Sequence, residues 1–91
     1  MANVNKLLSV KEAYRIFSSI RKDLYTRTCY EYDSCFVFQA VHHKLANSKD
    51  GGAEFDSLYF VDKQTRKCGM FKPFYISAEE YNRGKRVMNF K

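Results

Sequence analysis

A single long amphipathic segment precedes a series of β-prone runs, and this order limits the folds open to the chain. Ser9 and Glu12 have the spacing of a capping box, in which each side chain caps the other residue's backbone amide. The segment after them places apolar residues at steps of three and four, on one face of a helix: Val10, Ala13, Phe17, Ile20 and Leu24. The pattern predicts a helix over residues 10–25, which then needs an apolar surface to pack against.

Runs of aromatic and β-branched residues supply that surface. The first run covers residues 29–42, and its alternation places one set of residues on a single strand face: Tyr30, Tyr32, Phe36, Phe38 and Ala40. Asp33 and Ser34 interrupt the run and mark either a bulge or a turn that divides it in two. After a loop at 47–52, two more strands are predicted: 57–62 and 67–72.

Residues 62–67, Asp-Lys-Gln-Thr-Arg-Lys, predict a tight hairpin built around a type I turn. Asp62 can accept hydrogen bonds from backbone amides ahead of it, and Arg66 takes the left-handed position that glycine usually supplies. The resulting register pairs Tyr59 with Met70 and Leu58 with Phe71. Two faces follow from it: Leu58, Phe60 and Phe71 under the helix, and Tyr59, Val61, Cys68 and Met70 on the side away from it.

The chain closes with a second capping-box spacing, at Ser77 and Glu80, and with Gly84 where helix C-termini favour glycine. We expect a short helix over 78–83, followed by a basic tail, 85–91, that adds an edge strand. The 91 residues are therefore predicted to form one α+β domain. Its N-terminal helix packs on a three- to four-stranded antiparallel meander, and a short helix lies near the C-terminus.

The segment LYFVDKQTRKCGMFKPFYISAEEY and the long helix before it resemble small bacterial domains whose second strand ends in a Val-Asp-Lys-x-Thr-Gly hairpin. PepSY-like domains and certain small bacterial toxin-immunity proteins have this layout. The likeness rests mainly on residues 59–67, and this chain has Arg66 where those hairpins have glycine. The resemblance implies a protein that binds other proteins, and it transfers no functional residues.

The residues that could carry chemistry do not converge. His42 and His43 are neighbours at a strand end, so their side chains point to opposite faces. Cys29 and Cys35 lie about 20 Å apart along a continuous strand, too far to share a zinc ion. Two nearby carboxylates are interpreted as partners of surface cations rather than as an acid–base pair: Glu31 and Asp33. The sequence predicts no metal, no cofactor and no enzymatic activity.

The cysteines and the N-terminus bear on the cellular setting. Three cysteines at irregular spacing do not suggest a disulfide framework, and the first residues do not form an export signal. A cytoplasmic protein with free thiols is expected. No stretch approaches the ~18 uncharged apolar residues of a membrane span, so no membrane partner is predicted.

The charge offers one class of partner. Lys and Arg number 16 against 10 Asp and Glu, a net charge of +6. Basic sheet surfaces with exposed aromatic residues bind single-stranded nucleic acid through phosphate contacts and base stacking. The candidate contacts lie in the hairpin and the tail: Lys63, Arg66, Lys67, Lys85 and Arg86. Nucleic-acid binding is the alternative function.

The apolar residues indicate the other class of partner, because they form more apolar surface than one helix can cover. Both faces of the predicted hairpin are apolar, so either residues 74–90 or a partner must cover the second face. Exposed contiguous apolar patches usually mark interfaces. The sequence therefore predicts a non-enzymatic accessory domain of bacterial or phage origin. Its interface comprises Tyr59, Val61 and Met70, and its partner is another protein or a second copy of the chain.

Overall fold

A five-stranded antiparallel sheet carrying one helix is the frame of the computed structural model, which describes residues 7–43 and 56–91. The elements in chain order are α1 (Val10–Ile20), β1 (Leu24–Glu31), β2 (Cys35–His42), β3 (Ser57–Asp62), β4 (Cys68–Met70), a 3-10 turn (Pro73–Tyr75), α2 (Ala78–Asn82) and β5 (Lys85–Val87). The spatial order of the strands is β4-β3-β2-β1-β5, so the first four form a meander and β5 returns beside β1. The predicted α+β class is confirmed. The loop predicted at 47–52 lies outside the described residues.

Helix α1 begins as predicted and ends earlier. The Ser9 hydroxyl accepts a hydrogen bond from the Glu12 amide at 3.3 Å, and the Ser9 amide donates to the Glu12 carboxylate at 3.2 Å. The predicted end at residue 25 is wrong, because the helix stops at Ile20 and β1 starts at Leu24. The β-prone residues after Leu24 pair with β2, and strand pairing satisfies their backbone groups in place of further helical turns.

The long run after the helix is divided by a turn, one of the two alternatives that Asp33 and Ser34 indicated. The chain reverses there, so Tyr30 pairs with Val37 while Cys29 pairs with Phe38. Paired residues share a face of the sheet. The prediction that Tyr30 and Tyr32 share a face with Phe36, Phe38 and Ala40 is therefore wrong, because simple alternation does not continue through a turn.

The β3–β4 hairpin has the predicted geometry. Arg66 has a φ of 62°, and the Asp62 carboxylate accepts hydrogen bonds from the amides of Gln64 and Thr65, both at 2.8 Å. The register pairs Tyr59 with Met70 as expected. Strand β4 is shorter than the predicted 67–72 and spans Cys68–Met70.

Helix α1 covers the face of the hairpin opposite to the predicted one. The Phe17 ring lies 5.4 Å from the Tyr59 ring, and Val61 is fully buried. Phe38 and Phe36 pair with Tyr59 and Val61 across β2 and β3, so these four residues form the continuous aromatic and aliphatic surface on which the helix rests. Ile20, predicted on the apolar face of the helix, is 57% exposed, and Leu58, predicted beneath the helix, is 38% exposed. We call the side covered by α1 the helix face and the other side the open face.

The chain between β4 and β5 crosses the open face at its turn end, and we call residues 73–83 the strap. Ser77 caps α2 by accepting from the Glu80 amide at 3.1 Å. The Glu80 carboxylate accepts from the Ser34 amide at 2.7 Å, so it joins the strap to the β1–β2 turn. Arg83 forms an ion pair with Asp33 beside it. The C-terminal segment therefore covers part of the second face.

The tail then returns to the helix face. Strand β5 pairs with β1, as predicted for an edge strand. Phe90 is buried, and the centroid of its ring lies 5.5 Å from that of Tyr14. Gly84 does not adopt the left-handed conformation expected after a helix. Glycine is required there for a different reason, because a Cβ at this position would overlap the Tyr32 ring.

Candidate binding groove

The uncovered part of the open face forms a groove of about 390 Å³. Its lining comes from β1 and the turn after it, β2, β3 and the residue before it, the chain after β4, and α2: Tyr30, Tyr32, Val37, Gln39, Asp56, Leu58, Phe71 and Tyr81. We call it the aromatic groove. Among residues 7–43 and 56–91, the strap crosses the open face near the β1–β2 turn, and the groove lies on the rest of this face.

Three stacked rings contribute to the wall of the groove. Tyr32 lies between Phe71, at 6.2 Å and 8° between ring planes, and Tyr81, at 5.7 Å and 14°. Burial, with a smaller contribution from neighbouring Tyr81, raises the pKa of Tyr32. Tyr81 is the outer ring of the stack and is 53% exposed. The stack is buried on its inner side and accessible at its outer end.

The rest of the groove is apolar in the middle and polar at one end. Val37 is buried beside the partly exposed Leu58. At the polar end the Asp56 carboxylate, with its side chain 2% exposed, accepts from Gln39 Nε2 at 2.9 Å and from Arg27 Nε at 3.1 Å. A buried carboxylate held by two donors is fixed in place. The groove can therefore hold apolar side chains beside a rigid polar end.

The predicted protein interface is not an exposed patch. Tyr59 and Val61 lie beneath α1, and Arg21 lies over the Tyr59 ring at 5.1 Å from its centroid. Met70 shares their face at the sheet edge and is 58% exposed. The expectation that these three residues face away from the helix is wrong, because alternation shows which residues share a face without showing which face the helix covers.

The five predicted nucleic-acid contacts do not form one surface. Lys63 is buried, paired with Glu31 at 2.7 Å and lying 4.9 Å from the Phe36 ring centroid. Arg66 and Lys67 are exposed at the β3–β4 turn, whereas Lys85 and Arg86 are exposed on β5 at the other edge. The four strand spacings between β4 and β5 amount to about 19 Å. Arg86 is the member nearest the groove, because it pairs with Tyr30.

Two of the cysteines are buried, and the two carboxylates singled out in the sequence form ion pairs. Burial raises the pKa of Cys29 to about 12 and that of Cys35 to about 11, so both remain thiols at neutral pH. Glu31 and Asp33 each pair with a cation, Lys63 and Arg83, as interpreted from the sequence. Among residues 7–43 and 56–91, no group of three or more His, Cys, Asp or Glu side chains could hold a metal ion.

The groove was not identified from the sequence, although one signal indicated it. Apolar residues of both parities in β2 and β3 predict a sheet with two apolar faces, and the strap covers only part of the second. The sequence pattern assigns Leu58 to the helix-facing core and indicates no role for Tyr81 within the predicted helix 78–83. Their meeting depends on the path of the strap, which no local pattern encodes.

Comparison of the chain with protein-family models, with curated proteins and with solved structures gave no match. The resemblance to PepSY-like and toxin-immunity domains therefore stays a prediction. No helix in the part of the chain that the structure describes is long and apolar enough to span a membrane.

Proposed function

We propose that this chain is a non-enzymatic domain whose aromatic groove binds an extended, acidic and apolar segment of another protein. The observation that carries the proposal is the groove of about 390 Å³ left on the open face by the strap. Tyrosine and phenylalanine are enriched at protein interfaces because they bury large areas at low entropic cost. The partly exposed Leu58 and Tyr81 are the accessible apolar surface of the groove.

Charge complementarity supports an acidic partner. The chain has a net charge of +6, and exposed Arg86 lies beside Tyr30 at the rim of the groove. Asp56 is neutralised by Arg27 at the polar end, so it does not repel acidic residues strongly. Opposite charges at the rim increase the association rate and fix the orientation of a segment.

Two features support a binding role rather than catalysis. Cys29 and Cys35 are protonated at neutral pH because burial raises their pKa, and a thiol is a poor nucleophile. The carboxylates of Glu31 and Asp33 are each held in an ion pair, with Lys63 and Arg83 respectively.

Selection from a library of short random peptides displayed on phage tests the proposal. We expect enrichment of peptides that combine aliphatic and acidic residues. Leu58→Arg should abolish their binding, because it places a bulky cation among the apolar groove residues. Met70→Arg is the matched control, since Met70 is also exposed on the same hairpin but lies on the helix face. Both variants should retain the far-UV circular dichroism of the parent.

Three results would contradict the proposal. The first is a selection that enriches no peptide, and the second is a set of peptides that bind the Leu58→Arg variant as tightly as the parent. The third is a concentration-dependent dimer, seen by analytical ultracentrifugation, that Leu58→Arg dissociates. That result would assign the groove to a second copy of the chain.

Binding of single-stranded nucleic acid is the second candidate, favoured by the position of Arg86 beside Tyr30. Fluorescence anisotropy with labelled oligonucleotides tests it. Binding of this kind falls steeply with salt, and Lys85→Glu with Arg86→Glu should weaken it. Absence of binding at low salt would exclude this candidate and leave the peptide proposal standing.

The proposed setting is the cytoplasm of a bacterium, with the chain encoded by the bacterium or its phage. The three cysteines are free, which suits a reducing compartment. Protein binding is also what the resemblance to PepSY-like and toxin-immunity domains implies. Cell fractionation with an antibody against the chain tests the compartment, and recovery outside the cytoplasm would contradict it.

A further inference from the structure

A second pocket, of about 350 Å³, shares no lining residue with the aromatic groove and is lined mainly by cationic and polar residues. Its lining comes from α1, β1 and the residues after β5: Lys11, Arg27, Met88, Asn89, Phe90 and Lys91. We call it the basic pocket. Three cationic residues from three separate segments line it, an arrangement that spacing along the chain does not predict.

The structure holds two of these segments in place. Arg27 sits at the β1 bulge, and its guanidinium is bound by Asp56, whose side chain is 2% exposed. Phe90 is buried against Tyr14 and Phe38, which anchors the tail beside the pocket. Lys91 lies over the Tyr25 ring, with its ammonium 4.2 Å from the centroid. Arg27 and the tail are therefore held beside the pocket by contacts of their own.

The charged residues that line the basic pocket are all cations. In the described part of the chain, neither Lys11 nor Lys91 forms an ion pair, and the carboxylate paired with Arg27 is Asp56. Among the described side chains, the three cationic residues outnumber the Asp56 carboxylate, so the pocket favours an anion. A phosphate monoester carries a charge of about −1.5 to −2 at pH 7, whereas a phosphodiester carries a single negative charge.

We infer that the basic pocket binds the phosphate of a small organic phosphate monoester. Lys and Arg side chains are the usual phosphate donors in proteins, and the Asn89 amide adds a neutral polar group to the lining. Met88, which is 71% exposed, provides an apolar surface for the organic part of the ester. This inference goes beyond peptide binding and does not depend on the aromatic groove.

Titration followed by two-dimensional ¹⁵N–¹H NMR tests the inference, with phenyl phosphate as the probe at constant ionic strength. We expect saturable shifts at the amides of Lys11, Arg27 and Asn89. Lys11→Gln together with Lys91→Gln should weaken binding by about tenfold or more, because two charge-assisted contacts are lost. The matched control is Arg66→Gln with Lys67→Gln, which removes the same charge at the distant hairpin and should leave the affinity unchanged.

Two further probes separate the possible anions. Dimethyl phosphate, with one negative charge, should bind at least about tenfold more weakly than phenyl phosphate if two charges are recognised. Inorganic phosphate should also bind more weakly, because it lacks a group to contact Met88. Equal weakening by the two pairs of substitutions, or shifts that do not saturate, would overturn the site. Equal affinity for inorganic phosphate would overturn the assignment to an organic ester.

Discussion

Arg66 carries a local conformational cost in the β3–β4 hairpin. Its φ of 62° lies in the left-handed region, which is unfavourable for a residue with a Cβ. Arg66→Gly should therefore raise the free energy of unfolding by roughly 0.5–1 kcal/mol, as measured by urea denaturation. Gln64→Gly in the same turn is the control and should lower stability, because Gln64 does not have a positive φ and glycine only adds freedom to the unfolded chain. If Arg66→Gly left the free energy of unfolding unchanged or lowered it, the left-handed conformation of Arg66 would not carry the expected cost.

Gly84 is required by packing rather than by backbone conformation. A Cβ at this position would overlap the Tyr32 ring, which Phe71 and Tyr81 hold between them. Gly84→Ala should lower the free energy of unfolding by about 1–3 kcal/mol, the usual cost of overpacking. Gly69→Ala is a milder test, because its Cβ would lie 3.2 Å from the Phe60 ring. If thermal melting showed equal losses for both variants, the contact with Tyr32 would not explain the glycine.

At the scale of elements, local sequence signals predict which helices and turns form, but not always where a helix ends or which face of a strand it covers. The capping box at Ser9 and the turn at residues 62–67 are complete within a few residues, so both were predicted. The end of α1 and the start of β1 were not, because pairing with β2 decides between helix and strand for the residues after Leu24. The face of β3 under the helix was also misassigned, since both faces of that strand are apolar.

Two residues that pair across the hairpin, one buried and one exposed, give a direct test of which face of the sheet the helix covers. Tyr59 is 7% exposed beneath α1, whereas Met70 opposite it is 58% exposed. Tyr59→Ser should lower the free energy of unfolding by about 3–5 kcal/mol, as for other buried aromatic residues, and Met70→Ser should change it by less than about 0.5 kcal/mol. Urea denaturation of the two single variants measures both. Similar small effects would mean that the helix does not cover Tyr59.

At the scale of the whole molecule, the C-terminal segment shapes both candidate sites within the part of the chain that the structure describes. The strap covers the end of the open face that lies near the β1–β2 turn. The tail begins with β5, and the residues after this strand reach the helix face. The aromatic groove is what the strap leaves uncovered, and the basic pocket forms where the tail meets α1 and β1. Both sites join residues far apart in sequence, so spacing along the chain could not predict them.

The anchoring of the tail by Phe90 is the contact on which this arrangement depends. Phe90 is 6% exposed between Tyr14 and Phe38, so the N-terminal helix and the C-terminal tail share one core. Phe90→Ala should lower the free energy of unfolding by about 3 kcal/mol, a large part of the ~5–15 kcal/mol typical of a folded domain. Phe74→Ala is the matched control, since Phe74 is 77% exposed and its loss should cost less than about 0.5 kcal/mol. Urea denaturation followed by circular dichroism compares them, and equal costs would show that the tail is not part of the core.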